Sequence, residues 1–279
     1  MMDNSMVATT FAEVNGAQLA YEVAGDGFPL VLIHSVIADM TMWQPQWAAL
    51  SQHYRTIRYD LRGFGQSLLV PEHTFRHTDD LAALLDYLGV ERAHVMGCSG
   101  GGSIALDFTL VYPQRVASLI SEAGGVEGAD VAWEQPPQWD ALVTASEAGD
   151  LEAAAELNVQ IWVDGVGRSP QDVDPAIRNL IRAADVIALK NEAARSKLQI
   201  DPEPAAERLT EVTVPTLYIY GDYDQLEVAS TADYVANNVR GARKHLIPDT
   251  AHFPNLEQPD EFNRVVLEFL RDVEEKPRA

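Results

Sequence analysis

Short apolar runs, most of them four to seven residues long, alternate with longer stretches in which apolar residues recur every three or four positions. TTFAEV, QLAYEVA, PLVLIHS, RTIRYD, AHVMGC, VASLISEA, TLYIYG and KHLIPD are the strand candidates. Most are rich in Val, Ile, Leu and Tyr, and several are apolar throughout, as strands covered on both faces of a parallel sheet are. Asn15-Gly16 joins the first two and predicts a tight hairpin, so the sheet should begin antiparallel. Helical spacing follows the fourth run, in FRHTDDLAALLDYLGV, which should stop near Gly89. It returns near the C-terminus, where Phe262, Val265, Val266, Phe269, Leu270 and Val273 mark one apolar face. The alternation predicts an α/β fold with helices on both faces of an about eight-stranded, mostly parallel sheet.

One stretch breaks the pattern. From about Val126 to Val212 no convincing strand occurs; acidic, Ala-rich helical segments such as DPAIRNLIRAADVIALKNEAARSK fill it. Residues 126–212 are therefore expected to form a helical cap inserted between two strands, with 1–125 and 213–279 as the core.

Composition narrows the function classes. Hydrophobic residues make up 47% of the 279, enough for a sizeable core. Asp and Glu total 42 against 20 Lys and Arg, for a formal net charge of −22. Such a chain repels phosphate backbones and anionic membranes, so no nucleic-acid or membrane partner is expected. A solvated acidic surface explains the charge first, and adaptation to high salt second. No apolar run is long enough to span a bilayer, and the N-terminal MMDNSMVATTF lacks a leader-like pattern, which suggests a cytoplasmic protein or one already processed. The single cysteine forbids an intramolecular disulfide, and no Cys/His spacing suggests a metal. The oligomeric state, monomer or homodimer, stays open.

The chemistry starts at VMGCSGGGS, residues 95–103. Gly97-Cys98-Ser99-Gly100-Gly101 fits G-x-S-x-G between a strand and a helix, a turn that needs small residues on both sides and projects its central residue. That residue is Ser99; centring the motif on Cys98 would put Met96 where a small residue is required. Cys98 as a thiolate nucleophile is the runner-up. A serine needs a base and a carboxylate to orient it. Of seven histidines, His252 stands apart, in a loop between the last strand and the last helix, bracketed by Pro248 and Pro254. His34, His53, His73, His77, His94 and His245 read as packed or solvated side chains. Asp224, with Asp222 as the alternative, follows the strand TLYIYG. The order Ser99, Asp224, His252 is that of one hydrolase architecture and of neither common serine-protease order.

With these residues the chain resembles the α/β-hydrolase superfamily from about Phe11 to Val273. The carrying motifs are GCSGG at 97–101, GDYD at 221–224, AHFP at 251–254, EQP at 257–259 and DLRGFGQS at 60–67, in which Arg62 and Gly63 are expected to be structural. The resemblance implies Ser99 as nucleophile, Asp224 as acid, His252 as base, and no metal or organic cofactor. An oxyanion hole should draw one amide from Gly100. The resemblance assigns the second to Val36, although Ser35 stands where the superfamily usually has glycine. Some similar enol-lactonases also carry serine there, and DMTMWQPQW is reminiscent of them and of small-ester hydrolases. Likeness to carbon–carbon bond hydrolases is weaker, since Cys98 stands where they usually have Asn. Serine at the nucleophile position argues against dehalogenases and epoxide hydrolases, which use Asp. Trp43, Trp133, Trp139 and Trp162 are candidates for an apolar substrate wall, and Arg168 and Arg178 for a carboxylate pocket. A small to medium neutral ester is the favoured small-molecule substrate and an acidic enol-lactone the second. A ligand receptor on the same fold is the non-enzymatic rival.

Overall fold

A computed structural model describes residues 8–275. The first seven residues, part of the stretch without a leader-like pattern, lie outside the described residues, as does the C-terminal end of the expected core segment.

All eight apolar runs are strands of one sheet: β1 (Thr10–Val14), β2 (Ala17–Ala24), β3 (Pro29–Ile33), β4 (Arg55–Tyr59), β5 (Ala93–Cys98), β6 (Val116–Glu122), β7 (Thr216–Gly221) and β8 (Arg243–Ile247). They lie in the order β1-β2-β4-β3-β5-β6-β7-β8. The β1–β2 and β2–β4 pairs are antiparallel and the rest are parallel. Asn15 and Gly16 both have positive φ, 49° and 71°, as the predicted hairpin turn demands.

Side-chain alternation along the strands builds two core layers. Val31 and Ile33 enter one, Leu30 and Leu32 the other. The first is covered by α2 (His77–Tyr87), α3 (Gly100–Val111) and α7 (Leu226–Asn238), the second by α1 (Gln44–Ser51) and α9 (Pro259–Glu275). Helix α2 ends as its glycine predicts: Gly89 has φ 65°, and Val90 N–H donates to Leu85 O at 2.8 Å. The apolar face read on α9 is buried from Phe262 to Leu270. Trp43 belongs to this second layer, fully buried with its ring 6.3 Å from Phe262, so it is a core residue and not a substrate wall.

Residues 126–212 contain no strand. They hold α4 (Trp139–Ala148), α5 (Leu151–Asn158), a π-helical turn (Val159–Asp164) and the long α6 (Pro175–Leu198). Main-chain bonds tie this segment to the sheet's carboxyl edge. Val166 N–H reaches Tyr223 O at 2.7 Å, and beside the end of α6 Ile200 N–H reaches Phe75 O at 2.8 Å. The short α8 (Pro254–Glu257) separates the β8 loop from α9. Among the described residues no helix is long and apolar enough to cross a membrane.

Candidate active site

Strand β5 ends at Cys98, level with Glu122 of β6, and α3 begins two residues later. Ser99 between them has φ 54° and ψ −123°, a conformation an L-residue adopts only when its surroundings enforce it. The enforcement is steric. A Cβ at Gly97 would lie 2.1 Å from Gly101 O, and one at Gly101 would lie 2.4 Å from His34 O. Only glycines let strand, turn and helix approach this closely. Ser99 N–H is anchored to Glu122 O at 2.7 Å.

Asp224 and His252 sit on the loops after β7 and β8. His252 Nδ1 lies 2.8 Å from Asp224 Oδ2 and 3.0 Å from Oδ1, and both side chains are nearly fully buried. Asp224 Oδ1 also accepts Gln225 N–H at 2.8 Å. The alternative acid, Asp222, is exposed and outside this arrangement. With Nδ1 facing the carboxylate, Nε2 is the ring nitrogen available to a cavity of about 480 Å³ that both His252 and Ser99 line.

Cys98 does not reach that cavity. It is fully buried, and burial, reinforced by Glu122, raises its thiol well above the usual range, which disfavours the thiolate a nucleophile would need. Its Sγ lies 3.9 Å from His252 O.

The Val36 amide, in the loop after β3, has no hydrogen-bond acceptor among the described residues. Gly100 opens α3, where first-turn amides lack intrahelical acceptors. The two residues are in close contact: a Cβ on Gly100 would meet Val36 Cγ1 at 2.4 Å. Ser35 is buried and its carbonyl accepts Ala38 N–H at 2.9 Å, so the serine is absorbed into a turn. His34 holds that turn from below. Its Nδ1–H donates to Ser35 O at 2.7 Å and Nε2 accepts Leu61 N–H at 2.9 Å, while burial lowers its pKa to about 4 and keeps it neutral. Arg62 of the DLRGFGQS motif is fully buried on Asp80, at 2.6 Å, and over the Phe75 ring.

Of the four tryptophans proposed as substrate walls, Trp162 alone reaches the cavity. Its ring centroid is 4.6 Å from that of His252, and its carbonyl accepts His252 N–H at 3.2 Å. Trp133 and Trp139 are 54% and 37% exposed and line none of the described cavities, because the stretch that carries them turns toward solvent. Arg168 and Arg178 are already paired, with Glu257 at 2.6 Å and with Asp164 at 2.7 Å, so neither is a free carboxylate receptor.

Glu122 escaped the sequence reading, although a carboxyl at the end of an apolar strand was the available signal. It is fully buried; Oε1 accepts Asn255 N–H at 2.9 Å and Oε2 has no partner among the described residues. Burial, with Asp224 adding to it, pushes its pKa up to about 8, so it is a neutral acid at pH 7. It bridges the turn of Ser99 and the loop of His252. Among the described residues no three His, Cys, Asp or Glu side chains gather as metal ligands would.

A family model described as the alpha/beta hydrolase fold matches residues 29–259. The chain is 27% identical over 277 residues to 3-oxoadipate enol-lactonase 1 of Acinetobacter baylyi, covering 98% of this chain and 97% of that protein. It is 30% identical over 253 residues to a 2-hydroxy-6-oxononadienedioate/2-hydroxy-6-oxononatrienedioate hydrolase of Burkholderia vietnamiensis, covering 87% and 86%. A solved thermophilic esterase from Thermogutta terrifontis superposes with a TM-score of 0.77 at 26% identity, covering 95% of this chain and 99% of that one.

Proposed function

The chain belongs to the α/β-hydrolase family, and from that premise we propose that it is a serine hydrolase cleaving small to medium carboxylic esters through an acyl-enzyme intermediate. The observation that carries this reading is the buried Asp224–His252 pair opening onto the cavity that the strained Ser99 turn also lines.

His252 Nε2 takes the hydroxyl proton as Ser99 Oγ attacks the ester carbonyl. The Gly100 and Val36 amides hold the oxyanion as the carbonyl carbon becomes tetrahedral. The imidazolium then gives its proton to the leaving alkoxide oxygen, and the C–O bond breaks to leave an acyl-Ser99. A water activated by the same imidazole releases the acid and restores Ser99. Asp224 keeps the proton on Nδ1 and stabilises the imidazolium. Residues 126–212 serve as the cap, with Trp162 as the wall next to the base. A lactone is the same reaction with the leaving alkoxide tethered to the acyl group. The resemblance to 3-oxoadipate enol-lactonase 1 favours it as the second reading.

The test is p-nitrophenyl butyrate hydrolysis by the wild type beside Ser99→Ala and Cys98→Ala. Turnover lost in Ser99→Ala and largely kept in Cys98→Ala is the expected result. A dead Cys98→Ala with an active Ser99→Ala would overturn the assignment of the nucleophile, and single turnover with retained product would favour a receptor.

A further inference from the structure

A second cavity, of about 210 Å³, adjoins the first, and both are lined by Gly100, Ser103, Asp107 and Pro202. It also takes in Val36, so the proposed oxyanion amides stand where the two lobes meet. The lobes differ in charge. The larger presents Glu127 and Glu227 and no lysine or arginine, with Asp107 shared between the two lobes. The smaller is walled by Phe64, Ile104 and Ile200 and presents Arg195, with Arg76 exposed beside it.

Arg195 reaches this lobe from the last turn of α6. Its guanidinium stacks on Phe64, 4.1 Å from the ring centroid, and Nη1 donates to Ala188 O at 3.1 Å. Arg58, Arg62, Arg168 and Arg178 each hold a carboxylate; among the described residues Arg195 has no such partner. Burial opposes its charge, and the only carboxylates among the described residues that offset this, Glu192 and Asp185, act at a distance without bonding it, so an arriving carboxylate would be its first direct ion-pair partner. An independent observation points to a polar ligand in the same lobe. His77 lines it, is 93% buried by its 7% exposure, and its Nδ1 has no partner among the described residues. Asp107, at the junction, makes no ion pair with Arg195 among the described residues.

Resting on the serine-hydrolase reading, we propose that the substrate carries a single carboxylate, which the smaller lobe receives on Arg195, while the end of the substrate in the larger lobe is uncharged, because that lobe offers Glu127 and Glu227 and no cation to a second anion. Charge on the two sides of the scissile carbonyl thereby sets both the class of substrate and its direction in the site: a monoanionic ester or lactone, neither a plain neutral ester nor a dianion.

Four phenyl esters test this: phenyl butyrate; monophenyl adipate, with the anion on the acyl side; 4-butyryloxybenzoate, with the anion on the leaving group; and the mono(4-carboxyphenyl) ester of adipic acid, a dianion carrying both. One of the two monoanions is expected to exceed phenyl butyrate in kcat/KM by roughly tenfold or more, mostly through KM, as a desolvated charge pair allows. The dianion should lose that advantage. Arg195→Gln should abolish the monoanion-to-neutral ratio, and Arg195→Lys, which keeps the charge, should retain part of it. A ratio near one in the wild type, or an unaltered ratio in Arg195→Gln, overturns the proposal. Calorimetric titration of the same esters into Ser99→Ala, alone and combined with Arg195→Gln, reads the preference without turnover. If the wild type hydrolyses none of the esters, the serine-hydrolase reading fails, while the titration still decides whether Arg195 selects a carboxylate.

Discussion

Replacing Glu122 by glutamine should stabilise this fold, and increasingly so as the pH rises. The carboxyl is buried behind the Ser99 turn, with a pKa pushed up to about 8 against an ordinary 4.5. Between those values the folded chain keeps a proton that the unfolded chain has released. This group's contribution is therefore whole below pH 4.5 and is lost as the pH climbs toward 8. At pH 7 the loss is roughly 1.36 kcal/mol for each of about 2.5 pH units, or about 3 kcal/mol. Glutamine cannot ionise and keeps an oxygen for the Asn255 amide. The stability gap between Glu122→Gln and the wild type should widen by roughly 3 kcal/mol from pH 5 to pH 8, seen as a Tm difference growing by about 6 °C at about 2 °C per kcal/mol. Thermal melts of both proteins at four pH values measure it. Asp60, Asp107 and Asp185, each raised to about 7 by burial, tilt the wild type the same way. His34, His77 and His94, lowered by burial to about 4, 3 and 4, cost stability as the pH falls below 6.5 and oppose that tilt there. The comparison of variant with wild type cancels these shared terms. A gap that stays constant from pH 5 to pH 8 would refute the reasoning.

Other outcomes test the frame around the site. Arg62→Ala leaves Asp80 buried without its cation, with only the Asn15 amide still donating to it, and should cost roughly 3–5 kcal/mol in urea unfolding; a loss below 1 kcal/mol would show that water reaches the pair. Gly97→Ala puts a methyl 2.1 Å from Gly101 O, so either soluble yield or any hydrolytic rate measured for the wild type should fall at least as far as in Ser99→Ala. Wild-type rates in that variant would mean that the turn has another way to form.

Much of this was legible along the chain because it rests on local rules. A strand buried on both faces is apolar along its length, and PLVLIHS and AHVMGC therefore announce β3 and β5. Positive φ in a two-residue hairpin demands residues such as Asn15-Gly16. The crowding around Ser99 writes itself as glycines. What depends on distant packing was not legible. Nothing local separates Trp162, beside His252, from Trp43, sealed beneath the sheet. Arg168 and Arg178 are spent on Glu257 and Asp164, while Arg195 reaches a cavity. Each outcome is set by partners far along the chain or by how the helical segment packs. Glu122 shows the same limit from the other side: its sequence signal is a strand-end charge, and its meaning comes from Asn255, 133 positions further along.

The π-helical turn at Val159–Asp164 is bonded to both loops that carry the Asp224–His252 pair. Trp162 O accepts from His252 N–H, and Ile161 O accepts from the Gln225 side chain next to Asp224. Replacing the whole segment between β6 and β7 with one from a relative would therefore unpin the imidazole at the same time as it reshaped the substrate chamber. A working transplant has to carry this one turn unchanged, and Arg195 of α6 with it if the substrate preference is to be kept. Laboratory recombination meets a seam here: α4 can vary without touching these bonds, while the six residues Val159–Asp164 have to stay with the loops of Asp224 and His252.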